Sequence, residues 1–136
     1  MTQTTDAGAP PRETVPGLER LVFFSDAVIA IAMTLLALDL PLPEGETDED
    51  LWGSFVNLLP RQYLTFVLSF LVVAMFWRSH HRFFQHVTGL APGVIRMNTV
   101  FLFTIVVLPF ATRVLGERGA SSFGTVFYAV TVAAVG

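Results

Sequence analysis

The sequence has 136 residues, of which 53% are apolar and only 14% are charged, and its formal net charge is −3. Ordinary globular domains carry about 25% charged residues, so this composition, with a mean hydropathy of +0.62, argues against a water-soluble domain and points to the bilayer as the main solvent. Cysteine is absent and all eight basic residues are scattered arginines, which excludes disulfides and thiolate sites and disfavours nucleic acid as a partner.

Charge-poor stretches predict an all-helical bundle with about four membrane-spanning helices, since a helix needs about 20 apolar residues to cross hydrocarbon. The predicted spans are residues 18–40, 61–80, 94–115 and 120–136. Residues 1–17 are polar and rich in Pro and Thr, which predicts a disordered cytoplasmic tail before a transmembrane domain over 18–136. Because the last span reaches Gly136 without a closing polar anchor, we expect a chain that is cut short or is a naturally truncated product.

The segment between the first two spans is predicted to be a hydrated loop outside the hydrocarbon. Pro41 and Pro43 end the first helix. The acids that follow, with no basic residue among them, are Glu44, Glu46, Asp48, Glu49 and Asp50. A mouth that collects cations is the alternative interpretation. Residues 51–59 form a short amphipathic approach, and Pro60 is expected to open the second span at its first turn.

The arginine distribution favours a cytoplasmic amino terminus, because cytoplasmic connections carry an excess of basic residues. The side that holds the amino terminus and the second connection carries Arg12, Arg20, Arg78, Arg82 and Arg96. The opposite side carries Arg61, Arg113 and Arg118.

The first span carries an aliphatic stripe and an acid on different faces of one helix. With about 100° per residue, Ile31, Leu35 and Leu38 fall within an arc of about 60°. Asp26 projects about 140° away from Ile31. The helix can therefore present branched side chains to one neighbour and a carboxylate to another, although packing against helices or lipid is the ordinary role of such a stripe.

Asp26 requires a partner, since an ionisable residue within a span usually points into the bundle and is paired. The candidate partners are Arg20, His80 and Asn98, which the topology places at the same membrane face. A mutually satisfied polar cluster would remove the cost of unpaired groups in a low dielectric. Two interpretations stay open at this point, a structural clamp and a proton relay or catalytic site.

Metal and hydrolase sites are weaker hypotheses. His80, His81 and His86 have no carboxylate near them in sequence, and two of them are adjacent and so splay around a helix, which favours interfacial histidines over a zinc site. Ser25, Asp26 and His80 are the residue types of a hydrolase triad, but no nucleophile turn or oxyanion hole accompanies them. We therefore predict no catalytic residue, no bound metal and no cofactor.

From Arg20 to Leu38 the sequence reads R-x-x-x-F-S-D-A-V-I-A-I-A-x-T-L-L-x-L. This stretch resembles the signature first helix of the transmembrane protein 175 potassium channel family. Trp77, His80 and Phe84 resemble the family's W-x-x-H pattern at the end of its second helix. Asn98 corresponds to the asparagine of its third helix, and Leu108 with Pro109 resembles a later Leu-Pro. The resemblance covers about residues 18–115.

The resemblance implies a potassium-permeable channel subunit in the cell membrane, with potassium as the permeant ion. It implies six helices per repeat and a homotetramer arranged around the first helices. The implied pore constriction has Ile31 as its narrowest ring, Leu35 and Leu38 as further layers, and Thr34 nearby. The implied interhelical network comprises Arg20, Phe24, Ser25, Asp26, Trp77, His80 and Asn98. The alternative is a non-conducting membrane packing or assembly protein, in which the same cluster is purely structural.

Overall fold

The computed structural model describes residues 16–118 and 121–136, and within these ranges it is all-helical, as predicted. The helices in chain order are α1 (Pro16–Leu38), α2 (Asp48–Leu58), α3 (Leu64–Phe84), α4 (Pro92–Arg118) and α5 (Ser122–Val135). The tail predicted over 1–17 falls on residues outside the described ranges, apart from Pro16 and Gly17, which begin α1.

Three helices in the described part of the chain are long and apolar enough to cross a membrane. They are Gly17–Leu38, Asp48–Phe84 and Pro92–Arg118, with 22, 37 and 27 residues. The fourth predicted span corresponds to α5, which is apolar but has 14 residues, fewer than the roughly 20 that cross hydrocarbon unaided. Its predicted start near Ala120 falls on a residue that the structure does not describe.

One apolar core joins α1 to α3, α4 and α5. On α1 the spacing of Ile29, Ala32 and Leu36 places all three on one face, and each is almost fully buried. The core residues that other helices contribute include Val73, Phe76, Leu102, Ile105, Leu108, Ala111 and Tyr128. Because lipid tails are as apolar as these side chains, close packing holds such helices together in a membrane. The packing therefore uses one face of α1 and leaves the other outside the bundle.

The acidic segment after α1 is partly helical, which corrects the prediction of a loop. Thr47 caps α2, since its hydroxyl accepts the Asp50 N–H at 3.2 Å while the Asp50 carboxylate accepts the Thr47 N–H at 3.2 Å. Asp48 and Glu49 occupy the first turn, where the helix dipole favours negative charge. These carboxylates thus stabilise the start of a helix.

α2 and α3 form one continuous helix, joined by the π-helical turn Leu59–Tyr63. The prediction that Pro60 opens a separate span is wrong in this respect, because the proline lies at the first turn of the π-helical segment and the helix does not break before it. The Tyr63 hydroxyl donates to the Pro41 carbonyl at 3.1 Å. This bond fixes the π-helical turn against the chain that leaves α1.

Candidate functional site

Three polar side chains from three helices meet in the interior of the bundle. Asn98 of α4 is at the centre, where its Nδ2 donates to Ser25 Oγ at 2.9 Å and its Oδ1 accepts from His80 Nε2 at 2.8 Å. All three residues are buried, Ser25 completely. A buried polar group costs free energy unless it is hydrogen-bonded, so this triplet joins α1, α3 and α4 at one level.

Both atoms of the Asn98 amide lie within hydrogen-bond distance of Ser25 Oγ, Nδ2 at 2.9 Å and Oδ1 at 3.2 Å. Asn98 Oδ1 can only accept, so His80 donates from Nε2. The Ser25 oxygen accepts from Asn98, and its hydroxyl donates to the Leu21 carbonyl at 2.8 Å within α1. The His80 ring stacks on Phe101 with centroids 4.9 Å apart. The surroundings of the imidazole are therefore one amide and aromatic rings, an arrangement that suits a clamp between helices.

The acid of α1 is bound by an indole. Trp77 Nε1 donates to Asp26 Oδ1 at 2.9 Å. The predicted partners His80 and Asn98 bond to each other and to Ser25 instead, so the expectation for Asp26 is corrected. Asp26 lies about 100° around the helix from Ser25, which directs it to the outer edge of the contact with α3. There it meets Trp77, which lies three positions before His80.

Arg20 and Phe24 are the remaining members of the predicted network, and neither side chain makes one of its hydrogen bonds among the described residues. Both are exposed on the surface of this chain, at the same end of α1 as Ser25 and Asp26. The structure therefore joins the network residues in two groups, Ser25 with His80 and Asn98, and Asp26 with Trp77.

The predicted pore residues share one exposed face of α1, opposite the core. Ile31 is 60% exposed, Leu35 39% and Leu38 79%, whereas Ile29 is 1% exposed. Positions 29 and 31 lie about 200° apart on a helix, which accounts for the contrast. The Thr34 hydroxyl donates to the Ile31 carbonyl at 2.7 Å, so its donor is satisfied within the helix. In the described part of the chain, this stripe lies outside the apolar core.

A cavity of about 180 Å³, which sequence reasoning missed, lies near the opposite end of α1. Arg113, Glu117 and Asp39 are among the residues that line it. Arg113 Nε lies 2.9 Å from Glu117 Oε1, and a terminal nitrogen of Arg113 lies 3.9 Å from Asp39 Oδ1. The buried Oε1 of Gln62, which also lines it, has no hydrogen-bond partner among the described residues. The separation of four residues between Arg113 and Glu117 is a helix-pair signal that the sequence contains.

The three histidines have separate surroundings. His81 lies beside Trp77, with ring centroids 6.0 Å apart, and His86 Nδ1 lies 2.8 Å from the Arg82 carbonyl. His80 belongs to the triplet with Asn98. Across residues 16–118 and 121–136, no group of three or more His, Asp or Glu residues is placed to hold a metal ion.

Comparison with known proteins gives one consistent family. The family described as the endosomal/lysosomal potassium channel TMEM175 matches residues 20–109. A potassium channel of Chryseobacterium sp. (strain P1-3) is 37% identical over 97 residues, which cover 71% of this chain and 48% of that protein. The human endosomal/lysosomal proton channel TMEM175 is 27% identical over 131 residues, or 96% of this chain and 25% of that protein.

A solved structure is also similar. It is the crystal structure of a lysosomal potassium-selective channel TMEM175 homologue from Chamaesiphon minutus, which superposes with a TM-score of 0.79 at 32% identity. The match covers 89% of this chain and 66% of that one. The chain spans about half the length of the curated bacterial relatives it matches.

Proposed function

The chain belongs to the TMEM175 family of membrane ion channels, and on that premise we propose that it is a subunit of a potassium-permeable cation channel. The family is one of channels and not of enzymes. The bacterial relatives are named potassium channels and the vertebrate relatives proton channels, and both names support a pathway for cations. The proposal assigns the constriction of that pathway to α1.

The exposed stripe of α1 is the observation that carries this proposal. Lipid could cover an apolar face equally well, so its exposure alone does not assign a role. The rotation of α1 about its own axis, however, is fixed by two contacts. Ser25 is bonded to α4 and Asp26 to α3, which leaves Ile31 and Leu35 with one outward direction. A helix clamped in this way is suited to line a pore, because it presents Ile31 and Leu35 in one fixed orientation.

We propose that four copies of the chain arrange their α1 helices around a shared axis. Ile31 would form the narrowest ring, Leu35 and Leu38 further layers, and Thr34 would lie nearby. The arrangement would cover the stripe that a single chain leaves exposed. Participation of Arg20 and Phe24 in the interhelical network stays a prediction within this assembly.

Ion selection at an aliphatic ring follows from hydration. An ion that passes the ring must shed part of its water shell, and potassium gives up water more easily than sodium, so a tight ring favours the larger ion. A slightly narrower ring excludes water and closes the pathway. The sequence holds no Thr-Val-Gly-Tyr-Gly segment that would build a filter of backbone carbonyls. We therefore expect modest selectivity.

We also propose that the protein resides in the cell membrane with a cytoplasmic amino terminus. The connection between α3 and α4 would then be cytoplasmic, flanked by Arg82 and Arg96. A cysteine placed at Gly89 in this connection tests the orientation. In intact cells it should resist a membrane-impermeant thiol reagent and react after permeabilisation, whereas labelling before permeabilisation would reverse the orientation.

Ion flux into liposomes tests the channel proposal. The purified chain should pass potassium faster than sodium, and Ile31→Asn should raise both fluxes and bring their ratio towards one, because an amide hydrates the ring. Leu71→Asn is a matched control, since Leu71 of α3 is as exposed as Ile31, at 60%, but outside the proposed pore. Absence of flux from the unmodified chain and from Ile31→Asn would favour the non-conducting assembly protein.

A further inference from the structure

The outward face of α3 changes from apolar to cationic along its length. One open groove on this face is lined by Leu71, Ala74, Met75, Arg78, Ser79 and Arg82, which we call the α3 groove. Their spacing of three and four residues places them side by side on the helix. Val73 and His80, on the opposite side of α3, are buried in the bundle. The α3 groove is therefore an outer surface of the described chain.

The two arginines of the α3 groove have no ionic partner among the described residues. Arg78 and Arg82 are both exposed, and neither side chain makes a hydrogen bond or ion pair within the described residues. Arg113 of α4, by contrast, is paired with Glu117. Two guanidinium groups one helical turn apart provide parallel N–H donors, which is the geometry that recognises phosphate.

The groove has the length of one membrane leaflet. From Leu71 to Arg82 α3 rises about 16 Å, about half of the ~30 Å hydrocarbon thickness. Arg78 directly follows the apolar part of α3, and arginine side chains at such positions extend towards the headgroups. The same end of the bundle carries Arg20 at the start of α1 and Arg96 at the start of α4. Phosphate oxygens of lipids lie at this level.

We propose that the α3 groove binds an anionic phospholipid, with Arg78 and Arg82 holding the headgroup phosphate. The Ser79 hydroxyl, which also lines the groove, is a further donor, and Leu71 with Met75 contacts an acyl chain. Basic sites of this kind between or along membrane helices recognise acidic headgroups.

A second copy of the chain complements this face poorly. A covering protein surface would need carboxylates opposite Arg78 and Arg82. Among the described acids at this end, Asp26 is bound by Trp77 and Glu19 also has a partner. The exposed acids of the segment 44–50 lie at the opposite end of the bundle. Among the described residues, charge complementarity thus favours a lipid phosphate over a second copy as the occupant.

Trp77 provides a reporter next to Arg78. The chain has two tryptophans, so Trp52→Phe leaves Trp77 as the only one. The full chain with this substitution is reconstituted into phosphatidylcholine vesicles in which a fixed fraction of lipid is brominated phosphatidylglycerol or brominated phosphatidylcholine. We expect bromine quenching of Trp77 to report at least about fivefold preferential association of the anionic lipid, because each basic residue near the surface contributes about that factor.

Substitutions of the two arginines test whether they cause the preference for the anionic lipid. Arg78→Gln with Arg82→Gln should bring it close to one, whereas Arg61→Gln, which removes an exposed arginine at the opposite end of α3, should leave it unchanged. Arg78→Lys with Arg82→Lys should retain a preference and serves in place of the Gln pair if that variant fails to insert. Equal quenching by both lipids or an equal loss in Arg61→Gln would overturn the proposal.

Discussion

Asn98 is the residue on which the contact between three helices depends. Its amide donates to Ser25 and accepts from His80 Nε2, so a single side chain bonds to α1 and α3 at once, while His80 Nδ1 is buried without a hydrogen-bond partner among the described residues. Without Asn98 the buried His80 Nε2 would have no partner in a low dielectric, and Ser25 would keep only its bond to the Leu21 carbonyl. The amide therefore stabilises the bundle through its hydrogen bonds as well as through packing.

Asn98→Ala should lower the stability of the bundle by roughly 1 to 3 kcal/mol, because it leaves the buried His80 Nε2 without its partner and removes the bond to Ser25. Thermal unfolding in detergent, followed by circular dichroism, measures the loss. Thr99→Ala is the matched control, since the Thr99 hydroxyl bonds only to the Ile95 carbonyl of its own helix. Equal losses in the two variants would show that the amide has no special role.

Asp26 and Trp77 should be energetically coupled. In a double-mutant cycle with Asp26→Asn and Trp77→Phe, we expect a coupling of about 0.5 to 1.5 kcal/mol, since each substitution weakens or removes the 2.9 Å bond. Unfolding of the four proteins in the same detergent gives the coupling. Additive effects would mean that the bond contributes nothing to stability.

The Ser25, His80 and Asn98 cluster could be predicted from residue type and membrane level, but the partner of Asp26 could not be derived from the residues alone. Alternating spans place the start of α1, the end of α3 and the start of α4 at one face, which limits the partners to a few side chains. The choice between Trp77 and His80 depends on the rotation of α3 about its axis. That rotation is set by packing of residues such as Val73, which periodicity does not resolve.

Among the elements, α2 shows how a charge pattern admits two interpretations. A run of carboxylates is hydrated in a loop and is equally favoured in the first turn of a helix, where unpaired N–H groups lie. The bonds between Thr47 and Asp50 select the helix. Spacing of Thr and Asp by three residues is the sequence signal that could have predicted it. No such signal predicts that α2 continues into α3, because Pro60 is compatible both with the first turn of a new α-helix and with the first turn of the π-helical segment.

Thr47→Ala should destabilise α2 by about 1 kcal/mol through loss of its cap. Hydrogen exchange of the α2 amides should accelerate about fivefold, and exchange in α3 should not change. Thr65→Ala in the same continuous helix, where the hydroxyl bonds to the Arg61 carbonyl, should leave α2 unaffected. If α2 exchanged at the same rate in Thr47→Ala and the unmodified chain, the cap would be irrelevant to its stability.

At the scale of the molecule, the described chain presents two apolar outer faces with different chemistry. The stripe of α1 is aliphatic through Ile31, Leu35 and Leu38, whereas the α3 groove ends in Arg78 and Arg82. The all-helical class and three full-length spans could be predicted, because charge-poor stretches near 20 residues allow few alternatives in lipid. The assignment of each face to protein or lipid depends on partners outside a single chain and so requires assembly experiments.

Cysteine cross-linking can distinguish the stripe of α1 from the α3 groove. The sequence holds no cysteine of its own, so an introduced cysteine is the only thiol that reacts. Ile31 and Leu71 are equally exposed, at 60% each. They also lie at nearly the same depth, since the bond between Asp26 and Trp77 aligns α1 with the antiparallel α3, and each position is five or six residues further into the membrane. Ile31→Cys and Leu71→Cys therefore differ mainly in the face they report.

In membranes treated with a short bismaleimide, Ile31→Cys should give covalent dimers in high yield, because a shared axis brings like positions together. Leu71→Cys should remain monomeric, because acyl chains cover that face. Dilution of the protein in excess lipid lowers random collisions and should leave the Ile31→Cys yield unchanged. Dimers from Leu71→Cys in place of Ile31→Cys would exchange the roles of the two faces and contradict the proposed pore and lipid site together.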